Sequence, residues 1–150
     1  MAEYFNFETD FVDSLRCIPM QVRCKLDTCG IKLRLSDWNQ MTTLQRISLV
    51  ELPCSTPTEI QSYQEYLQKL ILKITGTPAT TLLIEPHPPW IDSQTIPPVL
   101  QQKAQEIGVT ITLQVWGRLT PLQRFALLKL SRPGHENQNF PKALAEFNLI

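Results

Sequence analysis

Residues 18–52, IPMQVRCKLDTCGIKLRLSDWNQMTTLQRISLVEL, return at residues 96–130 as IPPVLQQKAQEIGVTITLQVWGRLTPLQRFALLKL, without a gap and 78 positions later. Twelve of the 35 aligned positions are identical, among them Gly30/Gly108, Trp38/Trp116, Thr42/Thr120, Gln45/Gln123 and Arg46/Arg124. Ordinary residue usage gives about two or three matches by chance. The chain therefore reads as an internal duplication, and the duplication works as a control. What both copies keep is read as scaffold, and what one copy has alone is where function is sought.

Each copy carries the same local signals in the same order. Ile-Pro opens a helix, with Pro97 and Pro98 in the first turn, where a missing N–H costs nothing. Gly30 and Gly108 stand where a left-handed residue would stop that helix. A period-two alternation follows, Ile31-Lys32-Leu33-Arg34-Leu35 and Val109-Thr110-Ile111-Thr112-Leu113, which is a strand signal. These two short segments are expected to pair with each other as a small two-stranded ribbon. Ser36 is the expected N-cap of a single turn carrying Trp38, and Thr42 and Thr120 cap the next helix. Trp38 and Trp116 read as packing anchors, and Gln45-Arg46 and Gln123-Arg124 as structural hydrogen-bonding pairs.

Outside the copies, Pro57 to about Thr75 has apolar residues at three- and four-residue steps, from Ile60 and Tyr63 to Ile71 and Ile74. That spacing predicts a long amphipathic helix ended by Gly76. Six prolines between Pro78 and Pro98 preclude helix and predict an extended surface connector. A last helix is expected around Phe140 to Phe147, with Phe5, Phe7 and Phe11 packed on the body. The sum is a mostly α, single compact helical domain spanning residues 1–150.

Composition narrows the function classes. Fourteen basic and fourteen acidic residues give a formal net charge of zero. No basic block is present, which argues against nucleic acid and anionic membrane as partners. Apolar runs are only a few residues long and the start lacks a signal-peptide layout, so a cytoplasmic protein is expected. Cys17, Cys24, Cys29 and Cys54 all fall in the first third, and their spacing matches no paired-thiolate metal pattern. They align with Thr95, Gln102, Ile107 and Arg132, so the repeated unit does not require thiols. Structural free cysteines are the first reading. A metal or redox role for Cys17, Cys24 and Cys29 is the alternative.

No metalloprotease, nucleophile-elbow, phosphate-loop or dinucleotide motif occurs, and no catalytic residue is assigned. No cofactor is assigned either. The asymmetric remainder holds the candidates. Arg132, His135, Glu136, Asn137 and Asn139 crowd one turn set by Pro133 and Gly134, and the aligned stretch Cys54 to Gln61 matches it at no position. Such donors and acceptors suit gripping a partner's carboxylate or backbone. They equally suit capping helix ends and satisfying turn backbone. His87 and Trp90, in the Pro-rich connector, are the second partner-binding candidates.

Phe11-Val12-Asp13-Ser14-Leu15-Arg16-Cys17-Ile18-Pro19-Met20, Glu85-Pro86-His87-Pro88-Pro89-Trp90 and Lys129-Leu130-Ser131-Arg132-Pro133-Gly134-His135-Glu136-Asn137 carry a resemblance. They are similar to the cyanobacterial nitrate reductase-associated protein family, over nearly the whole chain. The resemblance implies an accessory or maturation role in nitrate assimilation, with the nitrate reductase polypeptide as partner. It carries no established catalytic residues. The alternative it leaves is a small metal- or thiol-handling protein that delivers iron or a cluster to the reductase.

Overall fold

The computed structural model describes residues 4–9, 17–132 and 138–150. Among these residues it is mostly helical, with eight α-helices and one two-stranded antiparallel sheet. The chain divides into two compact units, Met1–Glu85 and Pro86–Ile150.

In the first unit, α1 (Met20–Cys29) ends on Gly30, whose φ of 74° lets the Gly30 N–H reach Leu26 O at 2.9 Å. β1 (Ile31–Lys32) follows, then α2 (Leu35–Gln40) and α3 (Thr43–Glu51). The long α4 (Pro57–Thr75) runs over the predicted span and stops at Gly76. Its apolar face buries Tyr63, Leu67, Leu70 and Ile71 against α1 and α2. Val22, Leu26, Cys29, Ile31, Trp38, Leu49 and Val50 complete that core. Glu8 ties the described N-terminal turn to α1, its carboxylate accepting the N–H groups of Phe5 and Met20, both at 3.1 Å. Phe5 is buried and stacks on Phe7, whereas Phe11 lies outside the described residues.

The ribbon exists, but its partner differs from the expected one. β1 pairs with β2 (Thr80–Thr81), in the register Ile31 with Thr81 and Lys32 with Thr80. Val109–Leu113 forms no strand. There the Gln101 side-chain amide donates to Ile111 O at 2.7 Å and accepts from Ile111 N at 2.9 Å. A side-chain amide thus supplies the hydrogen bonds that a neighbouring strand would give. Gly30 has a second duty here, because a Cβ on it would lie 2.8 Å from Leu82 O and 2.7 Å from the Ile84 side chain. Only glycine admits the β2 segment this close.

In the second unit, α5 (Pro98–Glu106), α6 (Leu113–Arg118) and α7 (Pro121–Ser131) fall 78 positions after α1, α2 and α3, and α8 (Asn139–Glu146) closes the chain. Here α7 packs against α5 and α8, around Leu100, Trp116, Phe125, Leu127, Leu130, Phe140 and Leu144.

The local chemistry of the two helical hairpins also matches. Thr42 accepts from Gln45 N at 3.1 Å while Gln45 Oε1 accepts from Thr42 N at 2.8 Å, and Thr120 and Gln123 do the same at 3.1 and 2.9 Å. These reciprocal caps satisfy two orphan helix donors each. Trp38 and Trp116 are both fully buried. Ser36, expected as a cap, lies inside α2 instead. The N-cap is Arg34, whose N–H is accepted by the buried Asp37 carboxylate at 3.4 Å.

Candidate functional site

The Pro-rich connector is held by one arginine. Arg124 on α7 is 6% exposed and spreads its guanidinium over four carbonyls. Nε donates to Trp116 O at 3.2 Å, Nη2 to Leu119 O at 2.8 Å, and Nη1 to Trp90 O at 2.8 Å and Ile91 O at 3.3 Å. Trp116 Nε1 adds a fifth link, donating to Asp92 O at 2.9 Å. Burial lowers the Arg124 pKa and the nearby Asp92 carboxylate opposes that shift. The guanidinium stays charged, since an arginine titrates far above physiological pH. Five planar donors suit this cluster of carbonyls better than a single ammonium would.

The matching arginine 78 positions earlier makes no such clamp among the described residues. Arg46 donates from Nε to Trp38 O at 2.9 Å and from Nη2 to Asn39 O at 3.0 Å, and reaches no connector carbonyl. Arg46 and Arg124 therefore both brace their own helical hairpin, and Arg124 has an added strapping duty.

Clamped in this way, the connector sorts its own residues. Trp90 turns inward, 7% exposed, and meets the Phe125 ring edge-on with centroids 5.1 Å apart. It is an anchor and is not presented to a partner, because its indole fills the space over Phe125. His87 faces outward. It lines an open depression of about 570 Å³ with Pro86, Pro88, Pro89, Ile91 and Asp92. Ile91 is 57% exposed there. The depression joins an apolar rim of proline and isoleucine to one imidazole and one carboxylate. That mixture suits an extended segment with a polar anchor.

The second group of candidates is divided by the fold. Arg132 is exposed directly after α7, its N–H donating to Lys129 O at 3.4 Å. Asn139 begins α8 and is 7% exposed, so its side chain is packed instead of offered. His135, Glu136 and Asn137 lie outside the described residues. Arg132 follows Phe125 by seven residues along and just past α7, which is about 10 Å of helix rise. The residues that sequence reading missed are Ile91, Asp92 and the clamping Arg124. Identity between the copies flagged Arg124 as scaffold, but no local signal names the distant carbonyls it holds.

All four cysteines are free, and no group of three or more His, Cys, Asp or Glu among the described residues is placed to hold a metal ion. Burial pushes Cys24 up to about 12, Cys29 to about 11 and Cys54 to about 12 from an ordinary value of 9.0. Neighbouring Asp27 raises Cys24 further, and Cys29 raises Cys54. Lys25, which would favour thiolates, is turned to the end of α3. Its Nζ donates to Val50 O and Leu52 O, both at 2.6 Å.

Two outcomes follow from these thiols. In the native protein Cys24, Cys29 and Cys54 should react with iodoacetamide at pH 8 at least tenfold more slowly than in urea, read by mass spectrometry. Stability carries the matching sign. A thiol whose folded value is raised contributes fully below the unfolded value and loses that contribution as pH rises. Urea midpoints should therefore hold to about pH 8 and fall between 9 and 12. Fast native alkylation of Cys24 would contradict the buried-thiol description.

A family model described as conserved nitrate reductase-associated protein matches residues 4–147. No curated protein and no solved structure matches the chain.

Proposed function

We propose that this chain, which belongs to the conserved nitrate reductase-associated protein family, is a non-catalytic accessory protein that binds the nitrate reductase polypeptide. In this reading it supports formation of the active enzyme in nitrate assimilation, in the cytoplasm. The carrying observation is the family match, which spans both compact units and whose name ties the chain to the reductase. No helix among the described residues is long and apolar enough to cross a membrane, which agrees with a partner met in solution.

The contact surface in this proposal is the second unit's connector and the exposed Arg132 that follows α7. His87 and Ile91 offer a fixed, part-apolar depression, and Arg132 offers a charge-assisted donor. His135, Glu136 and Asn137 extend the proposed surface by sequence alone, and Trp90 supports it from beneath. Metal delivery is the weaker reading, because buried, protonated thiols are poor ligands.

Co-purification tests the proposal. Tagged protein should retain nitrate reductase, and His87→Ala with Arg132→Ala should weaken retention about tenfold, the effect of losing about 1.4 kcal/mol. Circular dichroism should stay unchanged. Retention that survives both substitutions would remove this surface from the account.

A further inference from the structure

The two-stranded ribbon of the first unit leaves the outer edge of β2 open. Leu82 N–H donates to Gly30 O at 2.7 Å, which makes Gly30 and Leu82 a hydrogen-bonded pair. Bonded and non-bonded pairs alternate along an antiparallel ladder. Thr81, opposite Ile31, is therefore the non-bonded position, and its N–H and C=O point away from β1. No neighbour takes them among the described residues, since the sheet has only two strands.

Open edges are normally blunted by charge, proline or a covering element. This one is not. No charged residue occurs from Ile74 to Ile84, and the single proline, Pro78, stands before the strand. Leu83 is 98% exposed, with Leu82 at 40% and Ile84 at 48%. A run of this composition, left uncovered, marks a site for strand addition.

Charge selects among strands. Lys32 pairs with Thr80 across the ribbon, so the two side chains share one face. With Arg34, Thr75, Thr77 and Asp37 they line a small hollow of about 60 Å³. Neither Lys32 nor Arg34 forms an ion pair among the described residues. The Asp37 carboxylate is directed at the Arg34 backbone N–H. The hollow thus carries two cations against one committed carboxylate.

We propose that the outer edge of β2 accepts an extended segment of a partner protein in which apolar and acidic residues alternate. The backbone of that segment pairs with Thr81, its apolar residues cover Leu83, and an acidic side chain facing Thr80 reaches Lys32 and Arg34. This surface lies in the first unit and goes beyond the accessory reading, since it holds for any partner that carries such a segment.

Selection from a displayed library of random twelve-residue peptides tests the proposal, with the full-length protein as bait. Enriched peptides should alternate acidic and apolar residues and shift the Thr81 and Leu83 amides in a ¹H–¹⁵N spectrum. Thr81→Pro removes the open N–H and should weaken the best peptide at least tenfold, with the Trp38 indole signal of the same unit unmoved as the fold control. The double variant Lys32→Glu, Arg34→Glu leaves the backbone edge intact and should give a similar loss. Enrichment without alternation, binding that leaves both amides unshifted, or binding that survives the charge reversal would overturn the proposal. Concentration-dependent shifts of the same amides in the protein alone would also overturn it, by naming a second copy as the occupant.

Discussion

Arg124→Met should destabilise the protein by about 3–5 kcal/mol, the range for leaving a buried polar cluster without its charged partner. Four carbonyls, of Trp90, Ile91, Trp116 and Leu119, lose the guanidinium at once, and Trp116 O keeps only the Leu119 N–H at 3.2 Å. Methionine fills part of the volume, so the loss reports hydrogen bonding more than packing. Arg124→Lys should not rescue it, because one ammonium cannot reach carbonyls arranged around a planar fork. The matched variant Arg46→Met removes two bonds at a half-buried site and should cost only about 1–2 kcal/mol. Urea unfolding of the three variants checks the ranking. Equal costs at the two positions would contradict the strapping duty assigned to Arg124. Loosening of the connector should also broaden the amide signals of Trp90 and Ile91.

Trp38→Ala should cost about 3–5 kcal/mol, as should Trp116→Ala, since each empties a fully buried indole site. The pair also bears on cooperativity. Each compact unit contains one of these tryptophans, and the single family match spans both units. We propose that the units unfold as one domain. Scanning calorimetry should then give one transition that either substitution lowers. Two transitions, with only one moved by each variant, would contradict the single-domain reading.

Much of the fold is legible because its signals are local. Thr42 with Gln45 and Thr120 with Gln123 announce their helices by a cap that needs only four residues. Pro57 to Thr75 announces its helix by periodicity, and Gly30 and Gly76 announce their stops by conformational freedom. Non-local pairings are where sequence reading fails. The alternation at Ile31 names a strand but not its neighbour, so Thr80–Thr81 in place of the repeat's counterpart could not be read ahead. In copy two the same alternation is satisfied by Gln101, a residue with no special local pattern.

The candidate site divides along the same line. His87 is exposed in the connector as expected, because proline-rich backbone stays at the surface. Trp90, three residues on, is buried, because a large indole near an apolar helix gains more from covering Phe125 than from solvent. Asn139 likewise enters α8, where the polar-turn reading placed it in the loop. Matching of α1, α2 and α3 to α5, α6 and α7 at one offset is what makes Arg46 and Arg124 comparable. Descent of both segments from one duplicated unit is our reading of that match.

Co-purification of nitrate reductase with the tagged chain, carried out on cofactor-free and cofactor-loaded reductase side by side, decides whether this chain serves the reductase. The accessory reading predicts that the reductase polypeptide is retained and that the cofactor-free form is retained preferentially. Retention of neither form, with full reductase activity developing in the absence of this chain, would contradict it.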